Sequence, residues 1–243
     1  VRATVLTVQG RFALARVECP KLYGLVPDLY IVVCVATVDS LTGKSAVAMA
    51  SIERAMNAAG VTPESRAWAA TTLGEIAARR GDPVAEAQFR AALAADPRDL
   101  YTLGAYADWL LENGRASDVI PLVRNDKRVD ASLLRLALAQ KALSLPEANT
   151  STDVLRTRFA ASRARGDTVH RREEARFALG LANDPAAALR LATENWAVQR
   201  EPADLRILAE AAAATGDGAA KATVRQWLAE TGLEYPAVAS LVA

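Results

Sequence analysis

Two glycines 33 residues apart, Gly81 and Gly114, constrain the fold of this 243-residue chain more than any other feature. Before each glycine, apolar and small residues recur every three or four positions, which is the spacing of one face of an α-helix. A second segment with similar spacing follows each glycine, and these segments end at Pro97 and Val123. The stretch Ala67–Val123 therefore predicts two successive helix pairs with equivalent breaks.

The repeated landmarks and the period of roughly 34 residues resemble the tetratricopeptide repeat (TPR). The resemblance implies an all-α fold, an α-solenoid of about seven antiparallel helix pairs wound into a right-handed superhelix. It also implies small residues where paired helices cross, because the helix axes approach to about 8–10 Å only if the side chains at the crossing are small. Those residues are Ala36, Ala107 and Ala209 on first helices, and Ala15, Ala48 and Ala85 on second helices.

The resemblance treats residues 1–243 as a single domain, but it is uneven along the chain. Residues 1–123 match clear repeats, of which the first is truncated at its start. Residues 124–200 match degenerate helical repeats, and residues 201–243 match one TPR-like repeat plus a terminal helix. Because Gly216 lies 102 residues after Gly114, the period of roughly 34 is kept across the irregular middle.

Three local expectations accompany this register. The second helix of the first repeat is expected to close at Pro27. The segment Tyr30–Val38 alone would suit a strand, since Val and Ile favour strands, but the flanking helix pairs favour a helix. A fifth pair is expected to consist of helices Ser132–Leu145 and Asp153–Arg165, with Pro146–Thr152 as a polar loop between them.

The balance of charge excludes a general affinity for nucleic acid or anionic lipid. Lys plus Arg number 29 and Asp plus Glu number 28, a net charge of +1, whereas both kinds of binding need a clear basic excess. No uninterrupted apolar run approaches the roughly 20 residues that a membrane-spanning helix needs. The chain lacks an initiating Met and starts inside a predicted helix, so we expect that an upstream segment was removed or left out.

Two cysteines and one histidine leave little for metal chemistry, and no cofactor is expected. Cys19 and Cys34 lie 15 residues apart, on the second helix of one predicted repeat and the first helix of the next. A disulfide and a pair of small buried thiols both remain open. The compartment, cytoplasm or periplasm, and the oligomeric state also remain open.

The resemblance implies a concave groove, lined by the first helix of each pair, that holds a peptide or protein segment. The protein-binding residues implied for repeats two to four are Tyr30, Thr37, Trp68, Thr71, Glu75, Arg79, Tyr101, Asp108 and Glu112, with Val33, Leu111, Arg206 and Glu210 also facing the groove. Trp68 and Tyr101 at matching positions predict an aromatic platform flanked by acids, a composition that protein contacts favour. The alternative is that Trp68 packs against the preceding connection and the acids are solvated.

A run of seven arginines is a second candidate surface: Arg156, Arg158, Arg163, Arg165, Arg171, Arg172 and Arg176. It could form a basic patch for an acidic partner, or a solvated face with internal salt bridges. His170 is adjacent to Arg171, which makes it a poor base at neutral pH. The basic clamps by which some TPR proteins read a terminal carboxylate are not evident.

No nucleophile with a base, glycine-rich phosphate loop or zinc-ligand pair is present in the sequence. The leading hypothesis is thus a non-enzymatic scaffold that binds a protein or peptide segment in its groove. The alternative is a targeting or substrate-recruiting module of a longer enzyme or assembly factor. An α/α-toroid hydrolase is the third possibility, but it should show paired carboxylates on aromatic-rich loops, and the loops here are short and poor in aromatics.

Overall fold

The computed structural model describes residues 1–168 and 170–243, and in these residues all regular structure is helical. The fifteen α-helices are α1 (Arg2–Val8), α2 (Phe12–Glu18), α3 (Asp28–Ser40), α4 (Ser45–Met56), α5 (Pro63–Arg80), α6 (Val84–Ala95), α7 (Leu100–Glu112), α8 (Ala116–Val123), α9 (Asp130–Ala142), α10 (Glu147–Ala164), α11 (Arg171–Gly180), α12 (Pro185–Trp196), α13 (Pro202–Thr215), α14 (Gly218–Thr231) and α15 (Pro236–Leu241). A 3₁₀ turn, Cys19–Leu22, follows α2. None of these helices is both long and apolar enough to cross a membrane.

The helix ends follow the polar and glycine signals in the sequence. Helix α5 ends at Gly81, whose φ of 73° is a left-handed conformation that costs glycine little. At the start of α7, the Asp99 carboxylate accepts hydrogen bonds from the backbone N–H groups of Tyr101 and Thr102. These caps satisfy backbone groups that the helix itself leaves free, carbonyls at the end of α5 and amides at the start of α7, so both ends are well defined.

Consecutive helices pack in adjacent pairs, and the odd-numbered helices also contact one another in order from α1 to α15. The odd-numbered helices therefore form one layer, and the even-numbered helices pack against one side of that layer. Helix α15 returns to contact α5, although four odd-numbered helices lie between them in the chain order. For that contact to form, the layer must curve, and we call its inner side the concave face.

The alanines assigned to the helix crossings are all buried. Ala15, Ala48, Ala85, Ala107 and Ala209 have no exposed surface, and Ala36 is nearly as well buried. Larger residues such as Phe89 and Ile52 complete the same core, which runs without interruption from α3 to α11. A second apolar cluster joins α11 to α15 and includes Leu41 from the connection after α3.

The last helices are bonded to the first. The Arg200 backbone N–H donates to the Val8 carbonyl at 2.7 Å, and the Ser45 backbone N–H donates to the Glu234 carboxylate at 3.1 Å. Arg80 forms a salt bridge with the same carboxylate at 3.0 Å. The two ends of the chain thus meet in what we call the closure contact, which the sequence did not predict.

Several helix boundaries differ from those expected. Helix α2 stops at Glu18 and not at Pro27, because Pro20 lacks the N–H that another helical turn requires. The segment Tyr30–Val38 lies within α3, so the strand alternative is excluded.

The fifth pair also differs, because α9 ends at Ala142 and α10 begins at Glu147, so the predicted loop Pro146–Thr152 is wrong for all but its first residue. The Ser151 hydroxyl donates to the Gln140 side chain at 2.8 Å, which ties the early turns of α10 to α9.

Cys19 and Cys34 form a disulfide, with their Cα atoms 5.7 Å apart. This settles the alternative left open by the sequence. The bond joins the 3₁₀ turn to α3 across a separation of 15 residues, a loop for which chain entropy predicts about 3 kcal/mol of stabilisation. It fixes the first helix pair onto the second.

The closure contact makes a testable prediction at Gly43. Its φ is 76°, and a Cβ there would stand 3.1 Å from the Gly232 carbonyl oxygen. Gly60 has a φ of 82°, and a Cβ there would meet nothing within 4 Å. Both Gly→Ala changes pay the left-handed strain of about 1–2 kcal/mol, and we expect Gly43→Ala to lose about 1 kcal/mol more through the contact.

Urea unfolding of the two variants measures this difference, with Gly60→Ala as the matched control. Equal losses of stability in both would show that Gly43 and Gly232 are not in contact.

Candidate functional site

Three aromatic residues stand at the same level on three successive odd-numbered helices. Tyr30 on α3, Trp68 on α5 and Tyr101 on α7 each lie 13 residues before the left-handed glycine that follows the helix. Equal spacing from an equivalent break places them at equivalent positions near the helix N-termini. We call them the aromatic row. Trp68 keeps 43% of its surface exposed and Tyr101 keeps 64%, while Tyr30 is half-buried.

The contacts within the row differ from the predicted platform. Trp68 stacks on Tyr30, with ring centroids 4.9 Å apart and an interplanar angle of 26°. The Tyr30 hydroxyl lies 3.1 Å from the Ser65 hydroxyl, which holds the stacked pair against the start of α5. The Tyr101 hydroxyl instead donates to the Glu75 carboxylate at 2.7 Å. The structure therefore pairs Trp68 with Tyr30, and Tyr101 with Glu75.

Asp108 lies on the concave face between two arginines. Arg135 on α9 contacts it at 2.5 Å, and Arg176 on α11 contacts it at 2.7 Å. Burial alone would raise the pKa of this carboxyl, but the two guanidinium groups lower the pKa of Asp108 to about 2. The ionised aspartate thereby joins α7 to both α9 and α11.

Glu112 makes a longer connection, from the end of α7 to α13. Its carboxylate contacts Arg206 at 2.7 Å, and Arg206 also contacts Glu210 at 2.7 Å. Burial raises the pKa of Glu112 to about 7, against the opposing attraction of Arg206. Since α7 and α13 are not neighbours in the layer, this ion pair spans the concave face.

The other predicted groove residues are placed as follows. Thr71 is buried, and its hydroxyl lies 2.6 Å from that of Thr102, so it belongs to the contact between α5 and α7 and not to an open groove. Val33 is buried as well, which corrects its assignment. Thr37 donates to a carbonyl within α3, and Arg79 donates to the Ser40 hydroxyl at 2.9 Å.

Two zones result from these contacts. In one zone, the pairs Asp108–Arg176 and Glu112–Arg206 run directly between helices that are not neighbours, and they occupy the concave face. In the other zone, the aromatic row and Glu75 keep surface that water reaches. The predicted binding residues are therefore not one continuous open groove, and only the end that carries the row offers large exposed aromatic side chains.

The seven arginines do not form one patch. Each arginine has an acidic partner within 4 Å. The pairs are Arg156–Asp153, Arg158–Asp130, Arg163–Glu174, Arg165–Asp167, Arg171–Glu194, Arg172 with Glu201 and Asp204, and Arg176–Asp108. Arg176 reaches α7 and Arg172 reaches the start of α13, whereas the four from Arg156 to Arg165 belong to α10 and the connection after it. The arrangement matches internal salt bridges.

Two further features would indicate a site for catalysis or metal binding: a cleft beside His170 and a cluster of metal-ligating side chains. A small cleft of 210 Å³ beside His170 is lined by Asp130, Arg158 and Arg165, and each of these three charges is already paired. In the part of the chain that the structure describes, no group of three His, Cys, Asp or Glu side chains could hold a metal ion.

No protein-family model matches the chain, and no curated protein or solved structure matches it either. The resemblance to the tetratricopeptide repeat therefore rests on the residues of this chain alone.

The raised pKa of Glu112 predicts how stability depends on pH. Its pKa of about 7 in the folded protein exceeds the ordinary value of 4.5, so the folded state holds a proton that the unfolded state releases first. This contribution to stability is complete below about pH 4.5 and is lost as pH rises through about 7. Glu112→Gln removes it, so we expect the variant to lose less stability than wild type between about pH 5 and pH 8, by up to about 3 kcal/mol.

Urea unfolding across this pH range measures the effect, and Glu53→Gln, at an exposed position of α4, is the control that should follow wild type. A Glu112→Gln variant whose stability falls with pH as steeply as wild type would contradict the assignment.

Proposed function

We propose that the adjacent helix pairs form a TPR-like α-solenoid with a right-handed superhelix that the closure contact draws together. On this basis the protein is a non-enzymatic interaction scaffold that binds a segment of another polypeptide on its concave face. The exposed aromatic row is the observation that carries the proposal. Large aromatic side chains are enriched in the centres of protein contacts, where their apolar area is removed from water at little cost in conformational freedom.

The ion pairs that cross the concave face limit where such a segment binds. A peptide that ran along the whole concave face would have to displace Asp108 from Arg176 and Glu112 from Arg206. Separating partly buried ion pairs leaves charges without partners, which costs several kcal/mol. We therefore place the binding site at the N-terminal ends of α3, α5 and α7, where the row is reached without breaking those pairs.

The disulfide bears on the compartment in which the scaffold acts. Disulfides such as Cys19–Cys34 persist in oxidising surroundings and are rare where thiols are kept reduced. We infer an oxidising compartment, which favours the periplasm over the cytoplasm.

Binding at the row is tested with peptides selected from a random displayed library against the wild-type protein. Affinities are then measured by fluorescence polarisation for wild type and for the Trp68→Ala, Tyr101→Ala double variant. Interface aromatics contribute about 2 kcal/mol or more each when they anchor a partner. We therefore expect the double variant to bind the peptides at least about tenfold more weakly than wild type.

Tyr23→Ala is the matched control, since Tyr23 is 66% exposed and lies outside the row. Selected peptides that bind the double variant as tightly as wild type would show that the row is not the binding site.

A further inference from the structure

Trp68 differs from the other tryptophans of the chain in having no cation beside it. The chain has four tryptophans. Arg115 lies over Trp109 at 5.6 Å, and Arg200 lies 5.9 Å from the Trp196 ring centroid and 5.3 Å from that of Trp227. In the described residues no arginine or lysine covers Trp68, whose ring is shared only with Tyr30. One side of this ring is thus left for a partner.

Glu75 differs from the other carboxylates of the concave face in a related way. Asp108, Glu112, Glu201 and Glu210 each have an arginine within 4 Å, whereas Glu75 has no ion pair at that distance among the described residues. Its hydrogen-bond donor is the Tyr101 hydroxyl, which carries no charge.

Arginines act on Glu75 only from beyond ion-pair distance. Burial raises the pKa of Glu75, whereas the Tyr101 hydrogen bond and the charges of Arg79 and Arg172 oppose that rise. Arg79 follows Glu75 by one helical turn, but its guanidinium donates to the Ser40 hydroxyl on α3. Arg172 is matched by Glu173, Glu201 and Asp204. Among the described residues, Glu75 therefore has a neutral hydrogen-bond donor and more distant positive charges, but no ion pair within 4 Å.

The spacing of these features fits one kind of side chain. Trp68 and Glu75 are seven residues apart on α5, which is roughly 10 Å along the helix axis. An extended arginine or lysine covers much of that distance, with an apolar stem that packs on rings and a cationic end group. Tyr101 lies between the two positions, since it is level with Trp68 and its hydroxyl reaches Glu75.

We propose that this end of the concave face binds a basic side chain of the partner segment, with its apolar stem on Trp68 and Tyr101 and its cationic group at Glu75. The inference rests on the proposed function and adds the chemistry of the ligand to it. A guanidinium or ammonium group would gain both a carboxylate and an aromatic face, as Arg115 does between Trp109 and the carboxylates of Glu86 and Asp118. An acidic side chain at the same position would be repelled by the Glu75 carboxylate.

The test uses two blocked pentapeptides that differ in charge alone. One is Ala-Ala-Arg-Ala-Ala, and the other has citrulline, the neutral isostere of arginine, at the central position. Each is titrated into the isotopically labelled protein, and the indole N–H signal of Trp68 and the backbone amide signals of Glu75 and Tyr101 are followed by NMR. We expect the arginine peptide to shift these signals with saturation, and the citrulline peptide to bind about tenfold more weakly or not at all, as expected when a hydrogen bond to a charged group is lost.

Glu75→Gln is the decisive variant, because glutamine can still accept the Tyr101 hydrogen bond but carries no charge. We expect it to bind the arginine peptide about tenfold more weakly than wild type, with an unchanged thermal midpoint. Glu53→Gln on the exposed side of α4 is the control and should bind as wild type does. A second peptide pair, with lysine and norleucine, tells whether any cation suffices or a guanidinium is needed.

Three results would overturn the inference: equal binding of the arginine and citrulline peptides, equal binding by wild type and Glu75→Gln, or no shift at the row with either arginine or lysine. These failures are separable from failure of the proposed function. Library peptides that need Trp68 and Tyr101 but contain no basic residue would leave the scaffold proposal standing and refute the basic ligand.

Discussion

The ion pairs that cross the concave face decide what the rest of this structure can do. Glu112 and Arg206 are 94 residues apart in the chain and meet at 2.7 Å, and Asp108 meets Arg176 at the same distance across 68 residues. Contacts of this kind hold non-neighbouring helices together only if the layer of helices curves strongly. The same curvature brings α15 to α5 and Glu234 to Ser45 and Arg80, so the ion pairs and the closure contact support one another.

This closure explains where a partner can be accommodated. An array whose ends stay apart presents the inner side of every first helix to solvent. Here the middle and far parts of α7 are bonded to α11 and α13, and the exposed surface of the concave side is concentrated at Trp68 and Tyr101. Glu75 stands at the border between the two zones, with a neutral hydrogen-bond donor where its neighbours have arginines. The proposals on function and on ligand charge both follow from that border.

Much of the fold was predictable because helix pairing leaves a local signal. The glycine spacing and the apolar periodicity correctly located α5 to α8, and the flanking helix pairs correctly favoured a helix at Tyr30–Val38, since each depends only on neighbours in the chain. Helix α10 was misjudged because polar residues after Pro146 resemble a loop, whereas the Ser151–Gln140 hydrogen bond draws them into the helix. That bond is a tertiary effect that composition does not reveal.

The site was predictable in part, and for related reasons. Repeat register placed Glu75 and Tyr101 on facing sides of neighbouring helices, and their side chains meet in a hydrogen bond. It misplaced Thr71, which lies one turn after Trp68 and so falls in the seam between α5 and α7. Repeat register could not predict the ion-pair partners of Asp108 and Glu112, because periodicity tells which face of a helix points inward but not how tightly the layer curves. The central claim is that the two ends of the array meet, and the distance between spin labels at Val47 on α4 and Glu230 on α14 measures this most directly. Both residues are exposed and lie near the contact of Gly43 with Gly232. A closed array predicts a single narrow distribution at short distance, whereas a broad distribution at long distance would show that the ends are apart and contradict the account.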